Sequence, residues 1–227
     1  MLINPFISDL FAVIIRVHSY PMFTDPIINQ LIEQYPAPTW IDRSELLFED
    51  VISTIISQQL SGKAADSIFK RFIELFTISL SPEERGSDKG ENAKKTIFPI
   101  PEQVLDTNQE ILREIGISRA KSQYIHNVAQ AFINKDIEIE KIKRMTDEEV
   151  ITVLTKIKGL GKWSAEMILI FTLNRPNIFS MGDLGLKNAI RNLYGITEKE
   201  KIGELVETWK PNKSLASWYL WRSLENR

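Results

Sequence analysis

The sequence contains no cysteine. That absence excludes disulfide cross-links, thiolate zinc sites and cysteine-bound iron–sulfur clusters. Histidine is scarce. His18 and His126 have no metal-ligand spacing and no acidic partner nearby in sequence, so both are read as structural or surface residues. Long hydrophobic runs are missing as well. The stretch from Leu10 to Val17 is short, contains Arg16, and lacks a basic leader and a small-residue cleavage site. It cannot span a bilayer and is read as a buried amphipathic helix, so no membrane or targeting segment is expected. Neither sign of charge dominates, and the net value is −2. A nucleic-acid binder is more often basic, so this sum alone argues mildly against DNA. Strand signals are also lacking: no Asn-Gly or Asp-Gly turn joins two alternating runs.

What is present is helical periodicity in a chain of 227 residues, 43% of them hydrophobic, enough for a well-buried core. Val51, Ile52, Ile55 and Ile56 form one stripe at helical spacing. Gln58-Gln59-Leu60-Ser61-Gly62 interrupts it, and Ser61 can cap a following helix through Ile68, Phe72 and Phe76. Pro99 and Pro101 open a short helix, and Ser118 to Asn134 is another. Thr146 with Glu149, and Thr197 with Glu200, have capping-box spacing, and Gly195 stands where a helix would end. A last helix begins near Ser214. Residues 79–96 are polar and aperiodic and are read as an exposed loop. The expected fold is all-α, about ten helices in two lobes around a cleft. Residues 1–227 are read as a single domain with a soft lobe boundary near 79–96.

Local charge departs from the total. Between Thr155 and Gly195 six cationic residues (Lys156, Lys158, Lys162, Arg175, Lys187, Arg191) face Glu166 and Asp183, an excess of four. Within this stretch lies Lys158-Gly159-Leu160-Gly161-Lys162-Trp163-Ser164, between two amphipathic patterns. Glycine opens backbone angles closed to other residues and leaves N–H groups accessible to a phosphate. The second helix adds its positive N-terminus at the same place. Leu160 would tuck beneath the turn, and Lys158, Gly159, Gly161, Lys162 and Ser164 would complete the phosphate site. A Gly-x-Gly alone fits any tight turn. With Ala165 four residues after Gly161 and a helix on each side, a helix-hairpin-helix is the better reading. Such a hairpin grips backbone and reads no sequence.

Twenty residues after Trp163 comes Ser180-Met181-Gly182-Asp183-Leu184-Gly185. Asp183 at a helix entry has a plain role as N-cap. A catalytic role is compatible with it, because hydrogen bonds from helix N–H groups favour a charged carboxylate.

The span Leu154–Tyr194, with Ile55-Ile56-Ser57-Gln58-Gln59-Leu60-Ser61-Gly62-Lys63-Ala64-Ala65, Asn174-Arg175-Pro176, and Trp209 through Arg222, resembles the helix-hairpin-helix DNA glycosylases. Within them it is most similar to the 3-methyladenine DNA glycosylase II family, in a compact form without an N-terminal β-rich domain. Lys213 stands where that family often has Arg, and 79–96 looks like an insertion. The resemblance implies hydrolytic excision of alkylated purines from duplex DNA, with Asp183 as the catalytic carboxylate. Where lyase relatives carry a nucleophilic Lys, this chain has Trp163, which implies a monofunctional enzyme. Trp163, Met167, Trp221, Trp218, Tyr219 and Phe48 are implied to line the base pocket, and Trp40 lies on its other side or in the core with Trp209. Gln58, Gln59 and Leu60 are implied to wedge into the duplex. No cofactor is expected apart from a Na or K ion on the carbonyls of Thr155, Ile157 and Gly159.

A glycosylase for another lesion, a non-catalytic relative that recognises damage, and a helical protein without a DNA role are the alternatives. The expected partner is damaged duplex DNA bound by a monomer. The expected location is a bacterial cytoplasm, at the nucleoid, or a nucleus.

Overall fold

The computed structural model describes residues 23–60, 62–76, 78–79, 94–95 and 98–225. The expected helix at Leu10–Val17, His18, the Ser61 cap and most of the 79–96 loop lie outside the described residues. The helices are α1 (Pro26–Gln34), α2 (Leu47–Ser57), α3 (Gly62–Leu75), α4 (Pro101–Asp106), α5 (Gln109–Glu114) and α6 (Arg119–Ile133). They continue with α7 (Ile139–Ile142), α8 (Asp147–Thr155), α9 (Lys162–Phe171), α10 (Leu184–Tyr194), α11 (Lys199–Glu207) and α12 (Lys213–Arg222). A 3-10 turn at Ser44–Leu46 leads into α2. The β structure among the described residues is a two-residue antiparallel ladder, β1 (Ile78–Ser79) on β2 (Lys94–Lys95). No turn signal or alternating pattern in the sequence marks that pairing. It leaves the all-α class unchanged.

The chain divides into two compact units, at a division that does not coincide with the polar segment 79–96. It falls at Ser44 and inside α9, between Ala165 and Glu166, while 79–96 lies within the span of the first unit. Loop composition marks where chain is exposed. It does not mark where packing changes partners.

In the first unit the α2 stripe is the core. Leu47, Val51, Ile52, Ile55 and Ile56 are buried, as are Ile125, Val128 and Ala129 of α6. Helices α2, α4 and α5 all pack on α6. Burying each large aliphatic side chain contributes about 1.5–3 kcal/mol. Phe48 is half-buried beside this core, edge-on to Phe132 at 5.0 Å and to Phe98 at 5.8 Å. Ser118 caps α6 through the Lys121 N–H. His126 is half-buried, with Nδ1 beside the Gln109 amide, and desolvation lowers its pKa.

The second unit contains α1, α10, α11 and α12 around a core of Ile28, Leu31, Leu186, Ile190, Ile202, Val206, Trp209 and Leu220. Asp25 fastens it from a buried position. Its Oδ1 accepts the N–H groups of Ile27 and Ile28, and its Oδ2 accepts Tyr194 Oη–H and Trp209 Nε1–H, both at 2.8 Å. Gly195 closes α10 in the left-handed region at φ 69°. The Thr197 capping box does not form. Helix α11 takes Glu198 as N-cap, with no side-chain cap, and Glu198 instead accepts the Thr197 N–H.

Candidate phosphate hairpin and excision site

The capping box at Thr146 and Glu149 starts α8 with both reciprocal bonds made. The chain leaves α8 at Lys156 and turns through a Leu160 N–H bond to the Ile157 carbonyl, 3.0 Å. Gly159 takes φ +115°, and a β-carbon there would lie 2.4 Å from the Tyr124 ring. Two independent constraints therefore require glycine. Gly161 is different, since a β-carbon on it meets nothing within 4 Å. That space stays open for a ligand approaching the first turn of α9. Ile157 and Leu160 are buried beneath the turn, while Lys156, Lys158 and Lys162 are exposed around it. Ser164 is buried, and its hydroxyl accepts from Gln58 Nε2 at 3.1 Å, so it braces the turn from inside.

The turn after α2 lies in the same unit. Gln58 Nε2 donates to the Gly159 carbonyl at 3.0 Å as well as to Ser164. Of the three residues assigned to the wedge, Gln58 is thus committed to the hairpin. Gln59, at φ 59°, and Leu60 are exposed at the tip. Lys121 Nζ donates to the carbonyls of Ile56 and Gln58, at 2.8 and 2.6 Å, and burial lowers its pKa.

In the second unit Asp183 is the N-cap of α10. Its Oδ1 accepts the Leu186 N–H at 2.8 Å and Trp221 Nε1–H at 3.0 Å. One oxygen is thereby fixed by a helix N-terminus and an indole together. Gly185 makes room, because a β-carbon there would sit 3.1 Å from both Asp183 Oδ1 and Trp221 Cδ1. Trp221 continues into an aromatic series: Phe171 at 5.6 Å, Trp40 stacked on Phe171 at 6.1 Å, and Trp218 tilted on Trp40 at 6.2 Å. The Arg222 guanidinium lies 6.0 Å from the ring centres of both Trp218 and Tyr35. Behind Asp183, its N–H bonds the Ser180 carbonyl, and the Ser180 hydroxyl donates to buried Glu166 at 2.5 Å.

The assigned pocket residues separate. Trp218 and Trp221 are half-buried in the second unit, and Trp221 is bonded to Asp183. Tyr219 and Met167 are in that unit and buried, Tyr219 completely. Trp163 and Phe48 are both half-buried in the first unit, Phe48 with its ring against Phe132. Trp40, given to the core or the pocket, is half-buried in the aromatic series, and Trp209 is fully buried. Sequence reasoning missed Phe171, Lys121, Tyr124 and Asn127. Glu166 was the one with a signal, a carboxylate inside an apolar run.

Among the described residues no group of three His, Asp or Glu is placed to hold a metal ion. The hairpin carbonyls are a separate matter. Those of Ile157 and Gly159 accept the Leu160 N–H and the Gln58 amide, and a carbonyl oxygen has two lone pairs. As hard oxygen donors, they and Thr155 fit a monovalent cation in kind.

The family model of the HhH-GPD superfamily base excision DNA repair proteins matches residues 52–211. The chain is 38% identical to the alkylbase DNA glycosidase-like protein mag2 of Schizosaccharomyces pombe, over 77% of this chain and 76% of that one. It is 35% identical to DNA-3-methyladenine glycosylase 1 of the same yeast, over 78% and 72%. The solved structure of S. pombe 3-methyladenine DNA glycosylase (Mag1) in complex with abasic DNA superposes with a TM-score of 0.73 at 32% identity, covering 88% of this chain and 92% of that one. The 8-oxoguanine glycosylase/lyase of Clostridium acetobutylicum has a TM-score of 0.70 at 20% identity, covering 88% and 66%. The fold is therefore shared across different chemistries, and the site residues have to distinguish them.

Proposed function

Because this chain belongs to the HhH-GPD superfamily of base excision DNA repair proteins, we propose that it is a monofunctional DNA glycosylase that hydrolyses alkylated purines from damaged duplex DNA. The observation that carries the proposal is Asp183 Oδ1, held by the α10 N-terminus and by Trp221. The names of the yeast relatives agree with it.

The hairpin binds a phosphate through backbone N–H groups at Gly161 and the first turn of α9, with the positive end of that helix and exposed lysines adding charge. Thr155, Ile157 and Gly159 would hold a Na or K ion, which would supply further positive charge at the phosphate. Gln59 and Leu60 fill the gap when the damaged base leaves the stack. Outside the stack, a cationic purine is attracted by the faces of Trp218 and Trp221, worth about 0.5–2 kcal/mol.

The glycosidic C1′–N bond then breaks, and the bonding electrons leave with the base. A purine alkylated at N3 or N7 carries positive charge already and departs neutral, without a general acid. Positive charge develops on the sugar, as in glycoside hydrolysis. The Asp183 carboxylate stabilises that charge and takes a proton from the water that attacks C1′. An abasic site remains. Trp163, standing where lyase relatives carry Lys, offers no amine, so no Schiff base forms and the strand is not cut.

The test is base release from methylated duplex DNA, with alkali used to reveal abasic sites. The wild type is expected to free methylpurines without nicking. Asp183→Asn should slow release on the order of 100-fold or more while still binding DNA. Binding without release by the wild type would refute the activity and leave a damage-recognising protein.

A further inference from the structure

One face of α6 touches both loops of the first unit that the proposed function assigns to DNA. Lys121, Tyr124 and Asn127 follow one another at a spacing of three, so they share that face. Lys121 Nζ donates to the Ile56 and Gln58 carbonyls at the end of α2. The Tyr124 ring lies against Gly159. Asn127 Nδ2 donates to the Lys158 carbonyl at 2.9 Å. Gln58 closes the circuit through its bonds to Gly159 and Ser164.

Lys121 is the unexpected member. A lysine on a DNA-binding protein commonly points at solvent and phosphate. This ammonium turns inward onto two carbonyls and gives up part of its hydration. Carbonyls at a helix C-terminus lack intrahelical partners and carry partial negative charge, so an ammonium is their best ligand. What they terminate is the strained turn, with Gln59 in the left-handed region and Leu60 exposed over an apolar groove of Ile56, Ile68 and Ile117. Without Lys121 the exit from α2 is free to relax, and the tip loses its fixed direction.

We infer that Lys121 is a positioning residue for base extrusion, holding the Gln59–Leu60 tip through the end of α2 in fixed register with the phosphate-gripping hairpin. It does not contact the reacting atoms. Its effect falls on opening the duplex and leaves bond cleavage alone. The inference rests on the glycosylase reading of the tip and hairpin.

Lys121→Met, with Lys121→Arg and Lys121→Gln beside it, tests this in single-turnover base release from two duplexes. One carries 7-methylguanine opposite cytosine, the other the same lesion opposite an abasic analogue, where less pairing must be broken. Lys121→Met is expected to slow release from the paired duplex about tenfold, to leave affinity for an abasic duplex within about threefold, and to be nearly normal on the unpaired lesion. Arg, which keeps charge and donors, should restore most of the loss, and Gln less. Equal losses on both duplexes, or none on either, would overturn the inference. A second readout does not need excision: in the Asp183→Asn background, 2-aminopurine placed beside the lesion reports unstacking by its fluorescence. Loss of that signal on Lys121→Met supports the positioning role even if the wild type releases no base, and an unchanged signal refutes it. Inactivity of the wild type on both duplexes counts against the glycosylase reading alone.

Discussion

Gly159 and Gly185 separate two reasons for having no side chain. At Gly159 the left-handed φ and the Tyr124 ring both forbid one. Gly159→Ala should therefore cost about 1–3 kcal/mol of stability and weaken DNA binding, read by thermal melting and by titration of a duplex. At Gly185 φ is ordinary, and a β-carbon would press on Asp183 Oδ1 and the Trp221 ring at 3.1 Å. Gly185→Ala should slow base release about tenfold while Tm moves by no more than about 2 °C. A fall in Tm with normal release would contradict that assignment. The same contrast shows what single residues disclosed in advance. Asp183 and Gly-Leu-Gly were legible because their backbone roles select residue type. Lys121 was not, since carbonyl partners carry no sequence signal. Tyr219 faces another way: Trp218 and Trp221 are three apart on one face of α12, and Tyr219 points about 100° away from Trp218. Its burial follows from that angle.

At the scale of elements, two Thr-x-x-Glu sequences with the same spacing end differently. Thr146 and Glu149 make both bonds of a capping box, whereas α11 begins one residue later than its own box requires. Thr146→Ala should destabilise the protein by about 1 kcal/mol, and Thr197→Ala by only a few tenths, compared by denaturant unfolding. Equal losses would mean that the α11 box forms in solution. Spacing specifies a capping box only when the following turn is free to start there, and here Glu198 takes the cap position. Helix α9 carries a similar lesson. Its residues from Ser164 to Ile170 are all buried. A helix buried on every side has little amphipathic stripe to reveal which core it enters. For that reason the change of unit inside α9 was invisible, while the polar segment 79–96 drew the boundary to itself.

For the molecule as a whole, net charge and proposed partner point in opposite directions. A chain of net charge −2 gains little from long-range attraction to a polyanion. Its affinity for duplex DNA must come from local cations displacing counterions, with the rest of the surface contributing repulsion. Around the hairpin Lys156 and Lys158 are exposed. The logarithm of affinity should then fall linearly with the logarithm of salt concentration, with a shallow slope because few phosphates are engaged. Lys156→Gln and Lys158→Gln should each reduce that slope by about 0.9 where the lysine meets a phosphate. The same titration tests the hairpin ion. A cation on the Thr155, Ile157 and Gly159 carbonyls would weaken binding when KCl is replaced by tetramethylammonium chloride at equal ionic strength, since the bulky ion cannot sit on carbonyls. The slope would stay the same, because counterion release is not specific to the ion. Identical affinities in the two salts would exclude the ion. They would leave the hairpin N–H groups and lysines as the whole source of phosphate binding, and a slope unaffected by either glutamine substitution would then place the DNA on another face of the protein.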